Sequence, residues 1–122
     1  MSSSAAPSGY GATSEMMVME DPGSLSRQGW IALNNNEEAK AIMLFQVALQ
    51  ADQSHVDSLY GMGYALERKG IMARDLEQPR LERTQYEQAI DHYCRVLVEP
   101  SADQATVNEI YGRVQSLGGS CG

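Results

Sequence analysis

Apolar positions recur at intervals of three and four residues through most of this chain from residue 22 onward. That spacing marks amphipathic helices, not strands. Pro22 and Gly23 mark a boundary, and Ser24 is a good N-cap for a first helix carrying Leu25, Gln28, Gly29, Ala32 and Leu33. Asn34, Asn35 and Asn36 predict a turn, since asparagine tolerates left-handed backbone. Glu37 and Glu38 suit the dipole at the start of a second helix, whose apolar face is Ala41, Leu44, Phe45, Ala48 and Leu49. Asp52, Gln53 and Ser54 end it. A third helix is expected from His55 to Lys69, burying Leu59, Met62, Gly63 and Leu66, with Gly70 opening its turn. Residues 71–78 read as a short helical or irregular link, and Pro79 as the early start of a fourth helix extended by about two turns. Ser101 and Gln104 form a capping box before Val107, Ile110, Tyr111, Val114 and Leu117, a fifth helix over residues 102–117 that Gly118 ends.

These elements repeat. Leu25, Gly29, Trp30 and Asn36 return as Leu59, Gly63, Tyr64 and Gly70, each 34 residues on. Ala41, Ile42, Phe45, Ala48 and Leu49 return as Ala89, Ile90, Tyr93, Val96 and Leu97, each 48 residues on. The second hairpin is thus the first with fourteen residues added, placed by this reading at 71–84. Small residues on one helix, at Gly29 and Gly63, admit the rings of the other, Phe45 and Tyr93. Over residues 22–100 the chain resembles the tetratricopeptide repeat family in its 34-residue period, its mid-helix glycines and its small–x3–aromatic–x2–small pattern. Gln53 stands where that family usually closes a repeat with proline, and Val96 is a bulkier third member of the second pattern. The resemblance implies an all-α fold of antiparallel helix–turn–helix repeats. Repeat one covers 22–55, repeat two 56–100, and a capping helix 101–117, or the first helix of a third repeat, with Gly112 near the matching place.

Composition sharpens this picture at the ends of the chain. Residues 1–21, which open with Ser2-Ser3-Ser4-Ala5-Ala6-Pro7-Ser8-Gly9, are too poor in core-forming residues and read as a disordered tail. Met16-Met17-Val18-Met19 is its one apolar patch, either a sticky spot or a segment that docks on the repeats. Residues 118–122 form a flexible Gly-rich tail. A net charge of −7 argues against nucleic acid and anionic membranes, and no stretch is apolar enough to span a bilayer. No secretory signal is evident, so a cytoplasmic location is expected, with a periplasmic or secreted one as the alternative had a signal been removed.

Little in the chain points to catalysis. No Ser/His/Asp grouping or phosphate loop is present, so no catalytic residue, cofactor or metal ligand set is assigned. His92 and Cys94 are two apart on a helix and do not share a face. Cys94 and Cys121 either pair, pinning the tail and requiring an oxidising compartment, or remain thiols.

Binding is left. In the resembled family the first helices of successive repeats line a concave groove that holds a peptide. The resemblance places Ser26, Trp30, Leu33 and Asn34 there from the first repeat, and Asp57, Tyr60, Tyr64, Glu67 and Arg68 from the second. Trp30, Tyr60 and Tyr64 would form an aromatic floor, unless a ring packs under the tail instead. On this reading Trp30 belongs to the groove rather than the core, so Trp30→Ala would remove partner binding and spare the fold. The branch of the family that grips the C-terminal carboxylate of heat-shock chaperones uses Lys and Asn in the groove. Trp30 and Tyr64 stand in those places, which rejects chaperone-tail binding. Two functions follow: an adaptor or scaffold for a peptide segment of a partner protein, as in bacterial secretion, pilus or envelope assembly, or a homo-oligomer whose assembly completes a short stack.

Overall fold

The computed structural model describes residues 20–122, which form five α-helices and, among them, no strand. They are α1 (Pro22–Asn34), α2 (Glu38–Ala51), α3 (Val56–Asp75), α4 (Pro79–Leu97) and α5 (Gln104–Ser116). The readings of residues 1–21 as disordered and of Met16–Met19 as a docking segment fall almost wholly outside the described residues.

Two helices begin elsewhere than their serines suggest. Asp21, not Ser24, caps α1: its carboxylate accepts the Ser24 backbone N–H at 2.7 Å, and Pro22 occupies the first helical turn. Pro22 has no N–H to satisfy there, so it fits a helix start better than the boundary assigned to it. Asp103, not Ser101, caps α5, accepting from the Thr106 N–H at 2.7 Å. Ser101 instead lies in a turn closed by the Ala102 N–H on the Glu99 carbonyl.

The larger correction concerns the added fourteen residues. Gly70 does not open a turn; it is buried inside α3, which continues to Asp75. The turn residue equivalent to Asn36 (φ 60°) is Glu77 (φ 57°). The hydrogen bonds agree. Asn36 and Glu37 donate to Leu33 and Ala32, and Glu77 and Gln78 donate to Arg74 and Ala73. Asn36 and Glu77 are 41 residues apart, seven more than 34, and the second helices are offset by 48, seven more again. Seven residues have therefore been inserted into each helix of the second hairpin, although α4, which ends earlier in that register, is only five residues longer than α2. Seven residues are two turns, so each apolar stripe returns to the same face with a drift of about 20°.

The packing repeats with the same period. A Cβ on Gly63 would stand 2.5 Å from the Tyr93 ring, and a Cβ on Gly70, seven residues later, would strike Tyr86, seven residues before Tyr93. In the first hairpin the Phe45 ring is seated against Gly29 of α1, where a Cβ would come within 2.6 Å, and against Gly61 of α3. Phe45 and Tyr93 are fully buried and anchor one continuous core with Leu25, Leu33, Leu59, Leu66 and Val96.

Residues at both ends of the stack differ from their interior counterparts. The N-cap positions Asp21, His55 and Asp103 align α1, α3 and α5 at offsets of 34 and 48. At the place where Gly29 and Gly63 accept rings, α5 carries Tyr111, which is exposed. At the place where Gly61 receives Phe45, α1 carries exposed Arg27. Helix α5 packs on α4 and buries Ile110 and Val114 in the core. Gly118 (φ 79°) then turns the chain back, Gly119 rests on Ile90, and a disulfide joins Cys121 to Cys94.

Candidate functional site

Trp30, Tyr60 and Tyr64 meet on one face of α1 and α3. Helical spacing puts Tyr60 and Tyr64 one turn apart on α3, and Trp30 faces both with ring centroids 5.7 Å away. The three rings are half-buried, so each keeps an open edge. Trp30 also packs edge-on against Phe45 at 5.7 Å, and its buried indole N–H has no hydrogen-bond partner among the described residues. This differs from a tryptophan that belongs only to a surface groove: one edge of Trp30 touches the core, so truncating it reaches the core as well.

The remaining residues assigned to the groove divide into two groups. Asn34 and Asp57 are exposed and border the face. Ser26 is fully buried and donates its hydroxyl to the Asp57 carboxylate at 2.6 Å, fixing α1 to the start of α3. Leu33 is 1% exposed and belongs to the core rather than to an open groove. Arg68 is a clasp on the α1–α2 turn. It donates to the Leu33 carbonyl at 2.9 Å and the Asn36 side chain at 2.6 Å, and pairs with Glu38 at 2.7 Å. Glu67 accepts the Tyr93 hydroxyl at 2.7 Å.

Sequence reasoning missed Arg113. It extends from α5 over Tyr64 at 4.9 Å and Tyr60 at 5.9 Å from the ring centroids. Glu67 holds it at 3.4 Å, and Glu109, one turn earlier on α5, at 3.1 Å. A guanidinium stacked on tyrosine faces is favourable, and more so where water is partly excluded. The signal was available: counted from its N-cap, Arg113 occupies the position of Ala65, which in α3 is fully buried. Burial first, and then the Glu109 carboxylate, raise the Tyr60 phenol above its ordinary range, so its hydroxyl stays protonated. Hydrogen bonding to Tyr60, followed by the Arg113 charge, holds Glu109 below the usual carboxylate range. The face is thus an apolar floor of three rings, with a fixed cation on one side and carboxylates at its rim.

Among the described residues no group of three or more His, Cys, Asp or Glu gathers to hold a metal, and no helix is long and apolar enough to cross a membrane. The arrangement defines an all-α, helix–turn–helix repeat-like protein. Comparison of the chain with protein-family models, curated proteins and solved structures found no match to any of them.

Proposed function

We propose that this chain is a tetratricopeptide-type interaction module that holds a peptide segment of a partner protein across Trp30, Tyr60 and Tyr64. The observation that carries this reading is the grouping of three half-open rings on one face with Arg113, Glu109 and Asp57 around them. Aromatic rings with a polar rim are the anatomy of protein interfaces, and tyrosine, tryptophan and arginine dominate their energetics. Among the described residues no constellation for bond-making chemistry lies beside them, which favours binding over catalysis. The Cys94–Cys121 bond supports an oxidising compartment, the periplasmic or secreted alternative, over the cytoplasm.

Self-association by lengthening the stack is the less favoured reading. Continuing it past α5 would set a ring against Tyr111 instead of a glycine, and continuing it before α1 would set one against Arg27. Both ends lack the close-approach site that the interior uses.

The test selects binders from a displayed peptide library and reads the emission of Trp30, the only tryptophan. Peptides held on this face shift that emission and lose about tenfold or more in affinity with Tyr64→Ala, the loss expected of an aromatic hot spot. Selected peptides that bind without changing Trp30 emission, and that ignore Tyr64→Ala, contradict the assignment.

A further inference from the structure

A second trough runs along the side of the protein between α2 and α4, with α3 as its floor and a volume of about 720 Å³. Ile42 and Leu49 of α2 and Met62 and Leu66 of α3 supply its apolar base. Its polar lining is unusual for so acidic a chain. Sixteen carboxylate side chains against nine Lys and Arg give the protein its charge of −7, yet among the described residues none lines this trough. The ionisable groups that do are Lys69, His92 and Arg95, and among the described residues none of them pairs with a carboxylate.

Five of the nine glutamines complete the walls. Gln46 and Gln50 stand one turn apart on α2, and Gln85 and Gln88 stand opposite on α4. One end of the Gln85 amide, its Oε1, is buried with no hydrogen-bond partner among the described residues. Burying an acceptor without a donor is costly, so the Gln85 amide gains by turning this oxygen out toward a donor in the trough. Primary amides on both walls can donate to and accept from an extended backbone, as the edge of a sheet does.

The chain itself shows that this side of a second helix takes a non-helical segment. Its last residues lie on α4, with Gly119 against Ile90 and Cys121 bonded to Cys94. Ile90 and Cys94 correspond, 48 residues earlier, to Ile42 and Gln46 in the trough.

We propose that the trough between α2 and α4 is a second binding site, separate from the aromatic face, for an extended acidic segment of a partner protein. Apolar side chains of that segment meet Ile42, Leu49, Met62 and Leu66. Its carboxylates meet Lys69 and Arg95, and its backbone meets the glutamines. Charge complementarity selects acidic over basic partners and makes the association weaken with salt.

The test measures anisotropy of a fluorescein-labelled peptide alternating leucine with glutamate, against a leucine–lysine peptide of equal length. The glutamate peptide binds and the lysine peptide does not. Charge reversal at Lys69→Glu with Arg95→Glu weakens binding at least about tenfold, while Tyr64→Ala leaves it unchanged. Far-UV dichroism and the melting midpoint establish that the reversed variant is folded. A dye on Gln46→Cys reports the glutamate peptide independently by its change in emission. Equal binding of both peptides, indifference to the double reversal in a folded protein, or a silent dye overturns the proposal. Weakening by Tyr64→Ala equal to that of the reversal also overturns it, because it places the acidic segment on the aromatic face.

Discussion

Glycine inside a helix ordinarily costs about 0.5–1 kcal/mol relative to alanine, so glycine-to-alanine changes in helices stabilise unless the Cβ has nowhere to go. Helices α3 and α5 provide both cases. At Gly112, exposed on α5, a Cβ meets nothing within 4 Å. Gly112→Ala should therefore raise stability by about 0.5–1 kcal/mol. At Gly63 a Cβ would stand 2.5 Å from one carbon of the Tyr93 ring and 2.6 Å from the next. Tyr93 cannot step aside easily, because it is fully buried and its hydroxyl is bonded to Glu67 at 2.7 Å. Overpacking of this kind costs about 1–3 kcal/mol. The helix-propensity gain offsets part of it, leaving Gly63→Ala destabilised by about 1–2 kcal/mol. Urea unfolding followed by far-UV dichroism with the disulfide intact reads both variants. In melting experiments the two midpoints should separate on opposite sides of the parent, by about 4–8 °C for each kcal/mol. If Gly63→Ala is neutral or stabilising, the close approach of α3 to Tyr93 is wrong. If Gly112→Ala destabilises, the open face of α5 is wrong.

Removing the Cys94–Cys121 bond, 27 residues apart in sequence, by serine substitution at both positions should cost about 3.5 kcal/mol by loop-closure entropy. Hydrogen exchange should quicken first in α5. Arg68→Ala strands Glu38, whose side chain is 10% exposed against 26% for Arg68. Breaking a buried pair costs about 3–5 kcal/mol, and solvent at Arg68 reduces this to about 2 kcal/mol. A urea midpoint equal to the parent's would refute the clasp. Burial, then Glu67, raise the Tyr93 phenol above its ordinary range. The folded chain therefore holds that proton more tightly. The stability this gives is full below the unfolded phenol's pKa, about 10, and is lost as pH rises through the folded value. The urea midpoint should fall above about pH 10, and Tyr93→Phe should flatten that fall without removing it, since Tyr60 and Tyr86 are raised too.

Periodicity made the helices and the ring-into-glycine contacts legible. Leu25, Gly29, Phe45, Leu59, Gly63 and Tyr93 lie in the core as their spacing implies. The added residues from Pro79 onward were read as extending the fourth helix by about two turns, as they do, but those at 71–78 were placed in a link because Gly70 fits two roles. A glycine at the end of an apolar pattern usually marks a helix stop, and only the ring of Tyr86 shows that it is a seat. Glu77 took the left-handed turn instead, a conformation that side chain rarely signals. The aromatic face was readable as a set of rings. Its partition was not, because Leu33 and Arg68 depend on which way one helix turns against the next. Arg113 escaped notice because only the apolar positions of α5 were read, as a cap or the first helix of a third repeat, and its side chain reaches sideways over α3.

The symmetric growth of the second hairpin joins the fold to the site, and deleting it is the direct test. Removing residues 70–76 and 80–86 together takes seven residues from each helix and keeps the Glu77–Gln78–Pro79 turn. Gly70 leaves with its partner Tyr86, and Trp30, Tyr60 and Tyr64 lie outside both blocks. Equilibrium unfolding of the double deletion and of each single deletion is the measurement. The account predicts that the double deletion unfolds cooperatively, is more stable than either single deletion, and leaves Trp30 emission unchanged. Each single deletion leaves two turns of one helix with nothing to pack on. A double deletion less stable than both single ones would contradict the paired extension and the repeat built on it.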